Sequence, residues 1–295
     1  MASVSMWLEG ARLRTLPAAA APVIIGAGAA ARLGGFSAGK SLLALAVALS
    51  LQVGVNFAND YSDGVRGTDD ARVGPTRLTA SGQVPAKTVL TLALGCFAVA
   101  GLLGLTLLWW SGTWWLLAAG ITAVAAAWFY TGGSHPYGYA GVGLSELFVF
   151  VFFGLMATVA TTWVQVPSAP WWLWVSATGV GLASIALLFV NNIRDIPTDR
   201  EVGKKTLAVR LGQRRSRFTY CLLLVGTYVC FALALKSVSI ATTLIAVAAL
   251  FPVVHLCGAV RRGAQGPALL SVLRSTGFLT LGYGVILAAV FTWWN

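Results

Sequence analysis

An all-α integral membrane protein of about nine transmembrane helices is the fold class this sequence predicts, and three observations predict it. Hydrophobic residues make up 58% of the 295-residue chain and charged residues 10%, far below the roughly 25% charge of a water-soluble domain. Apolar stretches long enough for a bilayer core, about 20 residues each, recur from one end to the other. Lys and Arg gather in alternate connections between these stretches, as the positive-inside rule requires.

The apolar stretches fall at 16–33, 41–59, 88–110, 113–131, 143–164, 171–192, 217–235, 238–260 and 275–294. The first carries Pro17 and Pro22 near its start and runs on through Gly-Ala sequence as a helix would, without the pattern of a cleavable leader. The second ends in a segment of Asn and Asp. The third and fourth meet around Trp109, Trp110, Trp114 and Trp115. The fifth follows a glycine-rich connection and carries the aromatic run Leu147 to Phe153. The sixth starts at Trp171, Trp172 and Trp174 and ends in a second Asn/Asp segment. The last three hold few polar residues, and the ninth ends at Trp293 and Trp294. These tryptophans sit at the expected outer boundary, where they read as an interfacial belt.

With the N-terminus cytoplasmic, seventeen of the twenty Lys and Arg residues lie on the cytoplasmic side; Arg32, Lys40 and Lys236 lie opposite. The C-terminus then falls outside. The net charge of +11 follows from this topology, so nucleic acid is not an expected partner, whereas membrane lipid is. Cys96, Cys221, Cys230 and Cys257 lie in or at the ends of apolar stretches with no CxxC spacing, and His135 and His255 are isolated. Neither a disulfide framework nor a thiolate or imidazole metal site follows. Residues 1–295 read as one membrane domain.

The acids are distributed differently. Asp60, Asp63, Asp69 and Asp70 follow the second span, and Asp195, Asp199 and Glu201 follow the sixth, so seven of the nine acids occupy two short segments on one face. Asn59-x-x-x-Asp63 and Asn191-x-x-x-Asp195-x-x-x-Asp199 repeat one spacing at the ends of two helices of the same direction, a parallel repeat of two four-helix halves with a last helix added. Residues four apart share a helix face, so each set of amide and carboxylate oxygens converges. All-oxygen donors suit Mg²⁺, which takes one or two carboxylates and completes its shell with water and substrate phosphate. Arg66, Arg72, Arg77, Lys204 and Lys205 flank the same segments. Carboxylates and cations together fit a metal-bridged anion such as a diphosphate, whose departure positioned positive charge stabilises.

NDYSDGVRGTD (59–69) and NNIRDIPTDREVGKKTLAVRLG (191–212) resemble the paired signatures of the UbiA superfamily of intramembrane prenyltransferases, and the resemblance extends over essentially the whole chain. It implies a multi-pass enzyme of the cell membrane that binds a polyprenyl diphosphate through two Mg²⁺, ionises it, and transfers the allylic cation to an aromatic acceptor. By this resemblance Asn59, Asp63, Asp195 and Asp199 belong to the metal site. The acid that the family places four residues after Asp63 is absent, since Gly67 stands there, and Asp69 takes its place in the expected ligand set. Asp60, Asp63, Asp195, Asp199 and Tyr130 form the expected catalytic set. Arg14, Arg66, Arg72, Lys204, Lys205, Asn191 and Asn192 are the expected substrate contacts.

Four segments narrow the resemblance. LRTLPAAAAPVIIG (13–26), NFANDYSDGVRGTDD (56–70), GPTRLTASG (74–82) and YTGGSHPYGYAGVG (130–143) are similar to the MenA group, the 1,4-dihydroxy-2-naphthoate polyprenyltransferases of menaquinone synthesis. Gly132-Gly133-Ser134-His135 stands where the 4-hydroxybenzoate enzymes carry a basic pair. Trp128, Phe129, Tyr130 and the aromatics of 147–153 are placed to shield an allylic cation and stabilise it by cation–π contact. Glu146, beside the start of the fifth span, is an intramembrane acid, a residue kind that is usually functional. Other readings remain open: another aromatic or lipid acceptor; a CDP-alcohol phosphotransferase, which Asp60-x-x-Asp63-Gly64 partly imitates; and a cation-coupled transporter, whose ion sites would lie nearer the midplane.

Overall fold

The structure is a computed structural model that describes residues 3–68, 77–235 and 239–293. The described residues form helices and their connections, with no strand. A short helix α1 (Val4–Ala11) and a 3₁₀ turn (Leu13–Thr15) lead into α2 (Leu16–Arg32). Then come α3 (Ala38–Val65), α4 (Ala86–Ser111), α5 (Leu116–Phe129) and α6 (Leu144–Val149). A π-helical segment, Phe150–Met156, joins α6 to α7 (Ala157–Trp163), and α8 (Trp171–Glu201), α9 (Leu207–Leu235), α10 (Ile240–Arg261) and α11 (Pro267–Trp293) complete the chain.

Among the described residues, eight helical stretches are long and apolar enough to cross a membrane, α1–α2 and the α6–α7 run each counting as one. The remaining expected span, 113–131, is shorter than its apolar sequence suggests. Gly112 caps α4 at φ 71°, the chain turns before Leu116, and α5 has only 14 residues. At 1.5 Å per residue it reaches roughly 21 Å, less than a hydrocarbon core of about 30 Å. Other helices are longer than expected: α9 and α11 begin at Leu207 and Pro267, ahead of their apolar stretches, and α3 and α8 continue through both Asn/Asp segments to Val65 and Glu201. The motif residues therefore stand on helix ends rather than in loops.

In lipid, helices associate by close packing of small residues, and this bundle follows that rule. A Cβ on Gly28 of α2 would come within 2.5 Å of Ala288 Cα on α11, and one on Gly284 of α11 within 2.8 Å of the Ala21 carbonyl. Gly154 in the π-helical segment faces Gly181 of α8, where an added Cβ would lie 2.6 Å from the Gly181 Cα. α8 runs through the middle of the bundle; Leu173, Ala177, Val180, Ala186, Val190 and Ile193 are fully buried along it. Leu222, Phe251 and Val254 on α9 and α10 instead face outward, as lipid-contacting residues do.

Candidate active site

The ends of α3 and α8 border a cavity of about 850 Å³. Its polar end holds Asn59 and Asp63 from α3, Asn191, Asn192, Asp195 and Asp199 from α8, Arg14 from the 3₁₀ turn, Lys204 just beyond α8, and Tyr130 at the end of α5. The rest is apolar: Trp128, Phe129, Phe148, Phe152 and Phe153 give way to Val23, Ala44, Leu107, Leu116 and Val164. The cavity thus has one charged end and a long hydrocarbon-like remainder.

The charged groups are engaged with one another. One Asp63 oxygen accepts a hydrogen bond from the Tyr139 hydroxyl, and the other lies 3.6 Å from Lys204 Nζ. Lys204 also stands 4.7 Å above the Tyr139 ring centre. Across the cavity Arg194 makes a two-pronged contact with Asp195, each bond 2.7 Å, and reaches Asn191 Oδ1 at 2.9 Å. Asn59 Oδ1 accepts from Thr131 Oγ1 at 2.7 Å, which fixes the amide and ties α3 to the connection after α5. Tyr130 lies within electrostatic reach of Glu146, Asp63 and Asp199. Burial, with the negative charge of Asp63 second, pushes the Tyr139 hydroxyl above its ordinary range, so at neutral pH it remains a donor. Burial also raises Tyr137, whose hydroxyl donates to the Ala126 carbonyl at 2.8 Å.

Three residues of the expected site sit elsewhere. Asp60 is fully buried away from the cavity lining, and its carboxylate accepts the backbone N–H groups of Leu78 and Thr79 at 3.0 and 2.9 Å. It anchors the turn that returns toward α4. Arg66 donates to the carbonyls of Thr131 and Gly133 and so holds the glycine-rich connection against the end of α3. Lys205 is exposed and does not line the cavity. Asp69 and Arg72 lie outside the described residues. Conversely, Arg194, Tyr139 and Thr131 make site contacts that the sequence reading did not single out, and Glu9, Arg12 and Arg77 line the cavity. Arg194 carried a usable signal, since it adjoins Asp195 within the repeated segment; Tyr139 and Thr131 are brought in by chain folding across more than sixty residues.

The donor set fits a hard divalent cation. Asn59, Asp63, Asn191, Asp195 and Asp199 present amide and carboxylate oxygens. Among the described residues no three His, Cys, Asp or Glu side chains group closely enough to cage an ion alone.

An intramembrane, two-signature cavity of this kind defines a class, and the comparisons with known proteins give it a family. Residues 19–269 match the UbiA prenyltransferase family, and the chain belongs to it. It is 47% identical to the 1,4-dihydroxy-2-naphthoate octaprenyltransferase of Mycobacterium tuberculosis, over 98% of this chain and 97% of that protein. It is 39% identical to the Escherichia coli protein of the same name, over 77% of this chain and 75% of that one. The solved structure of a UbiA homolog from Archaeoglobus fulgidus bound to DMAPP and Mg²⁺ superimposes with a TM-score of 0.67, at 15% identity, covering 96% of this chain and 99% of the other. That similarity concerns the fold.

Proposed function

We propose that this multi-pass membrane protein transfers a polyprenyl chain from polyprenyl diphosphate to 1,4-dihydroxy-2-naphthoate with loss of CO₂ and release of diphosphate, giving demethylmenaquinol, the reduced form of demethylmenaquinone. The observation that carries the reading is the cavity itself. A charged end built from two Asn/Asp helix ends continues into an apolar space walled by aromatics, a shape complementary to a diphosphate with a long hydrocarbon tail. The chemical specificity is supported by the naphthoate octaprenyltransferases that share 39–47% identity with the chain.

In this reading Asn59, Asp63, Asn191, Asp195 and Asp199 hold Mg²⁺, two ions per site. The chemistry Mg²⁺ supplies there is neutralisation of the charge that collects on diphosphate oxygen as the allylic C–O bond breaks. The Mg²⁺ and DMAPP bound to the A. fulgidus homolog support the metal assignment. Lys204, Arg14 and Arg194 compensate the remaining negative charge. Trp128, Phe148, Phe152 and Phe153 exclude water from the allylic carbon and present ring faces to its positive charge. A ring carbon of the acceptor then forms the new C–C bond, with the acceptor held in line rather than activated covalently. Arg66 and Thr131 act on the acceptor side by fixing the 130–143 connection. The Lys and Arg asymmetry supports a cytoplasmic placement of this end, in the cell membrane.

The test is competition between 1,4-dihydroxy-2-naphthoate, labelled in its carboxyl carbon, and 4-hydroxybenzoate at equal concentration, with a polyprenyl diphosphate and Mg²⁺. The expected outcome is a prenylated naphthohydroquinone, or the quinone formed from it by air oxidation, without the label. Preference for hydroxybenzoate, or a product that keeps the label, refutes the acceptor assignment while leaving the family intact.

A further inference from the structure

Glu201 is the last acidic residue of the chain, and the 94 residues after it carry ten Lys and Arg. Setting the orientation of three helices does not by itself require that these cations be collected in one place. The structure gathers four of them at the seam between α9 and α10. Arg214 and Arg215 lie near the start of α9, Arg261 and Arg262 at the end of α10, and all four are exposed. Successive helices run antiparallel, so these two ends share one membrane face, the face that carries the cavity's charged end.

Specific bonds hold the ends together. Arg217 reaches from α9 to the carbonyls of Val260 and Ala264 at 2.5 and 2.7 Å, and Arg261 lies within electrostatic reach of both Cys221 and Cys257, one on each side of the seam. The surface below the cations is apolar and open. On α9, Phe218 and Leu222 follow Arg214 at successive four-residue steps, on one helix face, and are 68% and 59% exposed. On α10, Val254 is 60% exposed. A cluster of cations therefore crowns a lipid-facing apolar stripe, with no acidic residue in either helix to neutralise it.

We infer that the α9–α10 seam is a binding site for an anionic phospholipid, its phosphate on Arg214, Arg215, Arg261 and Arg262 and its acyl chains along Phe218, Leu222 and Val254. Cationic clusters at the membrane surface attract anionic headgroups, with an energy that falls off over a Debye length. Guanidinium groups add two-pronged hydrogen bonding to phosphate. The site lies outside the catalytic cavity, and none of its residues lines it.

The experiment is native mass spectrometry of the full-length protein in detergent micelles doped with equal amounts of phosphatidylglycerol and phosphatidylcholine. The wild type should retain phosphatidylglycerol over phosphatidylcholine by at least about fivefold, and raising the salt should reduce the preference. Arg214→Gln/Arg215→Gln/Arg261→Gln/Arg262→Gln should bring the ratio near one, whereas the fourfold Arg→Lys variant should keep most of it. If the fourfold Gln variant fails to insert, the two double variants, Arg214→Gln/Arg215→Gln and Arg261→Gln/Arg262→Gln, should each lower the ratio. Equal retention of both lipids by the wild type, or an undiminished preference in the Gln variants that insert, overturns the inference.

Discussion

Asp63→Asn removes one negative charge from the site while leaving its shape nearly intact. Asparagine is isosteric, and its amide oxygen can still accept the hydrogen bond from Tyr139. What is lost is the ionic partner of Lys204, 3.6 Å away, in a place where Asp63 is 4% exposed. Unit charges at that separation interact by about 5 kcal/mol at an effective dielectric near 20, before desolvation is subtracted. Removing one preorganised charge-stabilising group from an active site typically costs about 3–4 kcal/mol. The second figure corresponds to a loss of about 10²–10³-fold in kcat/KM. Reconstituted variant and wild type should be compared by transfer of a radiolabelled prenyl chain across a Mg²⁺ titration, with insertion checked by size-exclusion profile. The variant should lose at least about 100-fold, with its Mg²⁺ dependence moved to higher concentration. Turnover within about tenfold of wild type, at an unchanged Mg²⁺ requirement, would refute the placement of Asp63 at the metal and diphosphate.

Asp60→Ala should act on stability instead. It orphans the N–H groups of Leu78 and Thr79, at about 1–3 kcal/mol for each buried group left unpaired, so melting in detergent should fall while activity per folded molecule stays within about tenfold. Arg66→Ala should raise the acceptor KM more than the diphosphate KM, because it releases the 131–133 backbone; Arg66→Lys, lacking the fork that reaches two carbonyls, should restore little. Chelation should abolish transfer and added Mg²⁺ restore it, read by product formation; activity that survives chelation argues against the oxygen-donor site. Gly154→Val should lower thermal stability by about 1–3 kcal/mol or more, the usual cost of overpacking, since its side chain would meet the Gly181 backbone.

The helical class and the outlines of the spans were legible because lipid demands long apolar runs, and the site's core because Asn59/Asp63 and Asn191/Asp195/Asp199 repeat one spacing. Asp60 and Asp63 both stood in the expected catalytic set; what separates them is a turn at residues 78–79, which meets Asp60 from eighteen residues away. Arg66 looked like an anion ligand for a similar reason, since its carbonyl partners at Thr131 and Gly133 belong to another part of the chain. The shortness of α5 was hidden because 113–131 is apolar throughout, and composition does not mark where turns cut a helix. The π-helical segment left no trace in the apolar pattern, since Leu147 to Phe153 is apolar on every face.

The pairing of Lys204 with Asp63 and of Arg194 with Asp195 places two cation–carboxylate pairs at the cavity's charged end. In each of these two pairs the positive charge is answered by a carboxylate of the protein itself. Ligand entry then becomes an exchange of partners. A phosphate that claims Lys204 or Arg194 strands a carboxylate, and a cation that claims Asp63 or Asp195 strands a base. Under the proposed function, a cation and a phosphate arriving together would leave both pairs answered, so the same contacts would favour the metal-bound form of the diphosphate.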